Sequence, residues 1–307
     1  MNAYTIFDDF PQQSLELLQR NGIDVVVHPK GAARPQGKEL EKLLYQYDII
    51  FISTAQQMPE EMFANVDTPK VIATASSGTD HIHVPADKAA LVKIANAPNA
   101  NRSTVAEHTF ALALAFRKQL FEARIVASEG RNKKAMHGRL HDLNGATMGV
   151  IGAGGIATRV LRMAHCFGMR CLCWTFNPDK HSSLADDGVE FTDLDTLCRN
   201  ADVISVNIPS SAETYQLIDR RLVSLMKDDA VFITTSRANV TDISALIEKA
   251  QANPHFGLGM DVDPQVVVGQ WSIDNRNIII TPHIGGGTIE SRIRLFNECC
   301  ENAIKLL

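Results

Sequence analysis

The chain has 307 residues, 45% hydrophobic and 21% charged, with a formal net charge of −5 at pH 7. That length suggests about two domains, each with enough core to need no disulfide or metal staple. The mild acidity argues against a nucleic-acid partner, no apolar run reaches membrane-spanning length, and no signal peptide is evident, so a soluble cytoplasmic protein is expected.

In chain order, "YTIF", "DVVVHP", "DIIFIST", "KVIATAS" and "VKIANAP" read as strands. Between them lie helical patterns such as "SLELLQRNG", stopped at Gly22, and "GKELEKLLYQ". Strands alternating with helices imply crossover connections and a mostly parallel sheet. Next comes "NRSTVAEHTFALALAFRKQLFEARIVASEG", one long helix-forming stretch. It is apolar nearly all round between Phe110 and Phe116, which suits a helix buried on several sides. A polar connector, "GRNKKAMHGRLHDLNG", leads into a second alternating series: "TMGVIG", "MRCLCWTF", "VEFT", "DVISVNIP", "DAVFITTS", "FGLGMDV" and "NIIITPH". The last segment is expected to be a helix with Ile293, Phe296, Cys300 and Ile304 on one face. Six cysteines form no CxxC pair and no zinc-type spacing, and read as reduced thiols.

The stretch "MGVIGAGGIATRVLRMA" sets a glycine loop directly after a strand and at the start of a helix. Gly152 permits the tight turn, Gly154 lets backbone approach a pyrophosphate, and Ala157 allows close helix–strand packing. Gly155 and Ile156 open the helix, whose first N–H groups are free to meet phosphates. An acidic residue about 20 positions on would bind the ribose 2′-hydroxyl of NAD. Here the strand ends "CWTFNP" with no acid. Thr175, Asn177 and Lys180 leave room for a 2′-phosphate, so the expected cofactor is NAD or NADP, undecided.

With "STVAEH", "ATASSGTDHI", "NIPSSAET", "TTSRANVTD" and "TPHIGGGT", the ordered set resembles the D-isomer-specific 2-hydroxyacid dehydrogenase family over nearly the whole chain. The resemblance implies two α/β domains of Rossmann and flavodoxin-like type with parallel sheets. A discontinuous substrate domain would comprise residues 1–100 plus 284–307, and an NAD(P)-binding Rossmann domain 101–283. It implies a homodimer, and a small 2-hydroxy or 2-oxo acid bound in the cleft between the domains. Arg237 matches the arginine that grips the oxo acid, where a planar guanidinium can bind a carboxylate and polarise a carbonyl. Ser77 and Gly78 match the loop whose N–H groups hold the substrate carboxylate. Ile208, Pro209, Thr235, Ser236, Asp261 and Gly285 fall around the cofactor, with Asp261 toward the nicotinamide.

His283 matches the acid/base, delivering a proton as negative charge grows on the carbonyl oxygen. The family pattern supplies a glutamate partner just after the "DV" pair, and this chain departs from it with "GLGMDVDPQVVVGQW". Val266 stands at the matching interval, leaving Gln265 and Asp263 as candidate partners of His283. An aspartate keeps the usual mechanism, whereas a His–Gln pair resembles the formate dehydrogenase branch. A catalytic 2-hydroxyacid dehydrogenase is the favoured expectation. A non-catalytic NAD(P)-binding sensor like the corepressor relatives, and a formate-type dehydrogenase, stand as alternatives.

Overall fold

A computed structural model describes residues 1–307. The chain divides into two compact units: Met1–Asn101 with Thr288–Leu307, and Arg102–Gly287.

In the first unit the elements are β1 (Asn2–Thr5), α1 (Gln12–Arg20), β2 (Asp24–Val27), α2 (Gly37–Gln46), β3 (Ile49–Ile52), β4 (Lys70–Thr74) and β5 (Val92–Ala95). The strands pair in parallel in the order β2-β1-β3-β4-β5, the flavodoxin-like arrangement. β3 and β4 are buried along their whole length, as a parallel sheet covered on both faces requires. The closing helix, Ile289–Lys305, returns to this unit: Phe296 meets Phe7 and Phe10 edge-on, each with ring centroids 4.8 Å apart. Its buried face is Phe296, Cys299, Cys300 and Ala303. Of the stripe expected from spacing, Phe296 and Cys300 are buried and Ile304 packs against the same core, whereas Ile293 stands exposed.

The second unit opens with α3 (Arg102–Arg117) and α4 (Leu120–Ser128). The single long helix expected here is broken, because Gln119 takes a left-handed backbone with φ +49°. Then follow β6 (Thr147–Ile151), α5 (Gly155–Cys166), β7 (Arg170–Trp174), α6 (Ser182–Asp186), β8 (Val189–Phe191), α7 (Leu194–Asn200) and β9 (Val203–Val206). The remainder is α8 (Arg220–Leu225), β10 (Val231–Thr234), α9 (Ile243–Ala252), β11 (Gly257–Asp261) and β12 (Ile278–Thr281), before the closing helix, α10 (Ile289–Lys305).

Seven strands pair in parallel in the order β12-β11-β10-β9-β6-β7-β8. Alternation along each strand feeds two cores: Phe232 joins Ile204 and Leu258 on one face, while Val231 and Ile233 join Val150 and Val203 on the other. α3 covers the second face, and Phe116 packs where Gly257 and Gly259 carry no side chain. The chain starts at β6, runs outward to β8, then crosses back to β9 on the other side of β6. That reversal makes the crevice outside the carboxyl ends of β6 and β9 the ligand position in such sheets.

All six cysteines are free, and only Cys166 is exposed. Burial raises Cys171 to about 11 and Cys173, Cys198 and Cys300 to about 12, and pushes Cys299 well above the ordinary thiol range. The thiolate is the reactive form. In the native protein at pH 8, iodoacetamide is therefore expected to label Cys166 alone, with the other five reacting only on unfolding; mass spectrometry of tryptic peptides reads the outcome.

Candidate functional site

The reversal between β6 and β9 is tightly built. Gly152 follows β6 with φ +108°, and a Cβ there would stand 2.5 Å from the Asn207 carbonyl oxygen and 2.9 Å from Ile208 Cγ2. Only glycine fits both the backbone angle and the space. Its N–H donates to Trp174 O at 2.7 Å, fastening the turn to the end of β7. Ala157, fully buried, lets α5 lie close on the sheet.

Beyond this turn the structure opens. A Cβ on Gly154 would meet nothing within 4 Å, and no side chain caps the N-terminus of α5. A Cβ on Gly155 would fall onto the Arg102 guanidinium, so the missing side chain admits that cation to the helix start. Ile156 is half-buried behind it. Asn207 Nδ2 donates to Ser205 Oγ at 2.8 Å, whereas its buried Oδ1 has no partner. Uncapped N–H groups, open space and a guanidinium fit the diphosphate of a dinucleotide, and the orphaned Asn207 acceptor fits a hydroxyl donor such as that of a ribose. At the end of β7, Thr175 is half-buried and Asn177 exposed, its carbonyl accepting from Lys180 N at 3.2 Å. No carboxylate occupies residues 174–178.

The neighbouring strand ends line the same edge of the sheet. Ile208 is buried, and Pro209 O accepts from Thr214 Oγ1 at 2.7 Å, which braces the loop after β9. After β10, Thr235 and Ser236 are half-buried, and Ser236 Oγ donates to Val206 O at 3.0 Å. Arg237 caps a short 3-10 turn, Ala238–Val240, and is half-buried.

At β11 and β12 the chain makes its most constrained turn. Asp261 and Thr281 are register partners, and Asp261 is 3% exposed. Its Oδ1 accepts from Thr281 Oγ1 at 2.6 Å and from Ile284 N at 2.8 Å, and its Oδ2 accepts from Gly285 N at 2.7 Å. Gly285 must be glycine for room, since a Cβ there would stand 2.7 Å from Asp261 Oδ2. Between these anchors His283 is exposed and left-handed, φ +53°, with its N–H on Thr281 O at 2.9 Å. Its ring makes no hydrogen bond within this unit. Asp263 and Gln265 bond to each other instead, Gln265 N donating to Asp263 Oδ1 at 3.0 Å, and both are exposed.

In the first unit, Ser77 and Gly78 sit in the loop after β4. Ser77 Oγ donates to Asn101 Oδ1 at 2.8 Å, Asn96 Nδ2 donates to Ser77 O at 2.7 Å, and Ser76 Oγ donates to Gly78 O at 2.6 Å. The loop is thus held by its side chains and carbonyls.

Sequence reading missed three participants: Arg102, Asn207 and His108. His108, on α3, meets Thr281 Oγ1 through Nε2 at 3.0 Å. It lay inside the quoted "STVAEH", but only the fold shows what an α3 side chain faces 173 residues away.

The sequence profile of the D-isomer specific 2-hydroxyacid dehydrogenase NAD binding domain matches residues 110–285. Hydroxypyruvate reductase of Thermotoga maritima is 32% identical over 274 residues, covering 88% of each chain. Glyoxylate reductase of Thermococcus litoralis is 28% identical over 304 residues, covering 96% of this chain and 90% of that one. The crystal structure of D-lactate dehydrogenase from Aquifex aeolicus, complexed with NAD and lactic acid, superposes with a TM-score of 0.79 at 29% identity, covering 98% of this chain and 93% of that one. The chain belongs to the D-isomer specific 2-hydroxyacid dehydrogenase family, and is an oxidoreductase with an NAD-binding domain.

Proposed function

We propose that the protein reduces a small 2-oxo acid of the glyoxylate or hydroxypyruvate type to its 2-hydroxy acid, of D configuration where C2 is a stereocentre, with NADH or NADPH as the second substrate. The observation that carries this reading is the anchored turn presenting His283 at the carboxyl edge of the nucleotide-binding sheet, in one row with Arg237. When bound, the dinucleotide supplies the hydride to the carbonyl carbon. Arg237 grips the carboxylate and carbonyl oxygen of the acid, concentrating positive charge where negative charge develops. Ser77 and Gly78 N–H groups bind the carboxylate. His283, as imidazolium, donates its proton to the carbonyl oxygen, and in the reverse direction takes it back. The relatives named hydroxypyruvate and glyoxylate reductase support substrates with small 2-substituents.

Gly152, Gly154, Gly155 and Ile156 would hold the diphosphate, with Ile208, Pro209, Thr235 and Ser236 along its course and Asp261 with Gly285 at its nicotinamide end. Arg102 joins this set. A cation beside a helix N-terminus is disfavoured by about 0.3–1 kcal/mol, and an incoming diphosphate turns both groups into attractions. Arg102→Ala is accordingly expected to weaken NADH roughly tenfold and to flatten its salt dependence. Fluorescence titration at two salt concentrations reads this, and an unchanged dissociation constant counts against it. The β7 end carries donors and no carboxylate, so both dinucleotides are proposed as ligands; parallel titration with NADH and NADPH ranks them. A homodimer is also proposed, consistent with Leu120 and Phe121 exposed on α4, and light scattering at twice the 33.7 kDa chain mass would support it.

The ring of His283, without a hydrogen-bond partner in its own unit, is what a non-catalytic sensor would show. That reading predicts tight cofactor binding with no oxo-acid turnover. A formate-type reading, resting on Gln265 as the sequence candidate for a His283 partner, predicts NAD reduction by formate. Assays with formate, glyoxylate and hydroxypyruvate separate the three.

A further inference from the structure

We infer that His108 and Thr281 are positioning residues for His283, acting through the Asp261 carboxylate on the backbone of the turn rather than on the imidazole. The inference rests on the reading of His283 as acid/base. A non-glycine residue at φ +53° occupies a sparsely populated region and persists only where its surroundings over-determine it. Here the anchors are main-chain: His283 N on Thr281 O, and Ile284 N and Gly285 N on the two oxygens of Asp261.

The carboxylate is itself aimed. Thr281 has one hydroxyl proton, and Asp261 Oδ1 at 2.6 Å is a better acceptor than Met260 O at 3.4 Å. With its proton given to Asp261, Thr281 Oγ1 accepts from His108 Nε2 at 3.0 Å, which places the His108 proton on Nε2. His108 Nε2 also lies 3.8 Å from Asp261 Oδ1. The chain of contacts runs from α3 through β12 to β11 and then into the turn, entirely within the second unit. It fixes the origin and Cα–Cβ direction of a side chain whose usual partner is missing from the sequence, which limits the positions the imidazole can reach. A displacement of about 1 Å at a reacting group can cost a hundredfold in rate.

Thr281→Val removes the hydroxyl and keeps the shape, while Thr281→Ser keeps the hydroxyl. His108→Leu removes the donor, while His108→Gln retains an N–H. With glyoxylate and NADH, the Val and Leu variants are expected to lose kcat roughly 10- to 100-fold, with KM for glyoxylate and Kd for NADH within about threefold of wild type. Ser at 281 and Gln at 108 are expected to recover most of that loss. Hydrogen exchange of the Ile284 and Gly285 amides should rise about tenfold in Thr281→Val and stay near wild type in Thr281→Ser. The inference is overturned if kcat and exchange are unchanged in Thr281→Val, or if Ser fails to restore what Val loses, while His283→Ala is inactive. Should Thr281→Val not fold, the His108 pair carries the same comparison. If His283→Ala keeps wild-type kcat, the acid/base reading fails, and this inference falls with it.

Discussion

His283→Ala is expected to lower kcat for glyoxylate or hydroxypyruvate reduction by roughly 10²–10⁴-fold, the range typical of losing a positioned general acid. NADH affinity should stay within about twofold, because no cofactor contact is assigned to the imidazole. His283→Gln should be as inactive as the alanine variant, since an amide can donate a hydrogen bond but cannot release a proton to the developing alkoxide. Steady-state assays with direct NADH titration separate the two quantities. A wild-type kcat in His283→Ala would remove the imidazole from the acid/base role.

The second large effect is expected at Arg237. Alanine removes both the carboxylate grip and the charge facing the carbonyl oxygen, and kcat/KM should fall roughly 10²–10³-fold or more. Lysine should recover little of this, because a point charge does not replace a planar fork that binds two oxygens at once. Binding of NADH alone should be unaffected, which distinguishes loss of substrate contact from disruption of the β10 end. Equal activity in wild type and Arg237→Lys would show that charge alone suffices, and would remove the bidentate role.

The strands of both series were legible because each is a short β-branched run bounded by turn residues, and a parallel sheet buries them on both faces. The glycine loop was legible for a related reason: its spacing reports backbone demands, and the crowding of Gly152 against Asn207 and Ile208 bears those out. The break at Gln119 was hidden, since "FRKQLFEA" consists of good helix formers with no glycine or proline, and one left-handed residue leaves no composition signal. The buried stripe of the closing helix was legible at Phe296, Cys300 and Ile304, and its burial extends to Cys299 and Ala303 instead of Ile293.

The hold on His283 shows the same limit at the site. A search for a ring partner looks for a side chain, and so turned to Asp263 and Gln265. What fixes the turn is the N–H of Ile284 and of Gly285, which carry no sequence signature, on a carboxylate that reads as a nicotinamide contact. Arg102 was equally hidden, since its place beside Gly155 depends on a side chain crossing 53 residues of chain to fill a space left by a missing Cβ.

The most direct test of the reductase reading is the product formed from hydroxypyruvate with NADH carrying two deuterium atoms at C4, analysed by chiral chromatography and mass spectrometry. D-glycerate with one deuterium at C2 is the predicted result. No deuterated product between pH 5 and 8, with the cofactor bound, or an L-configured product, would contradict it.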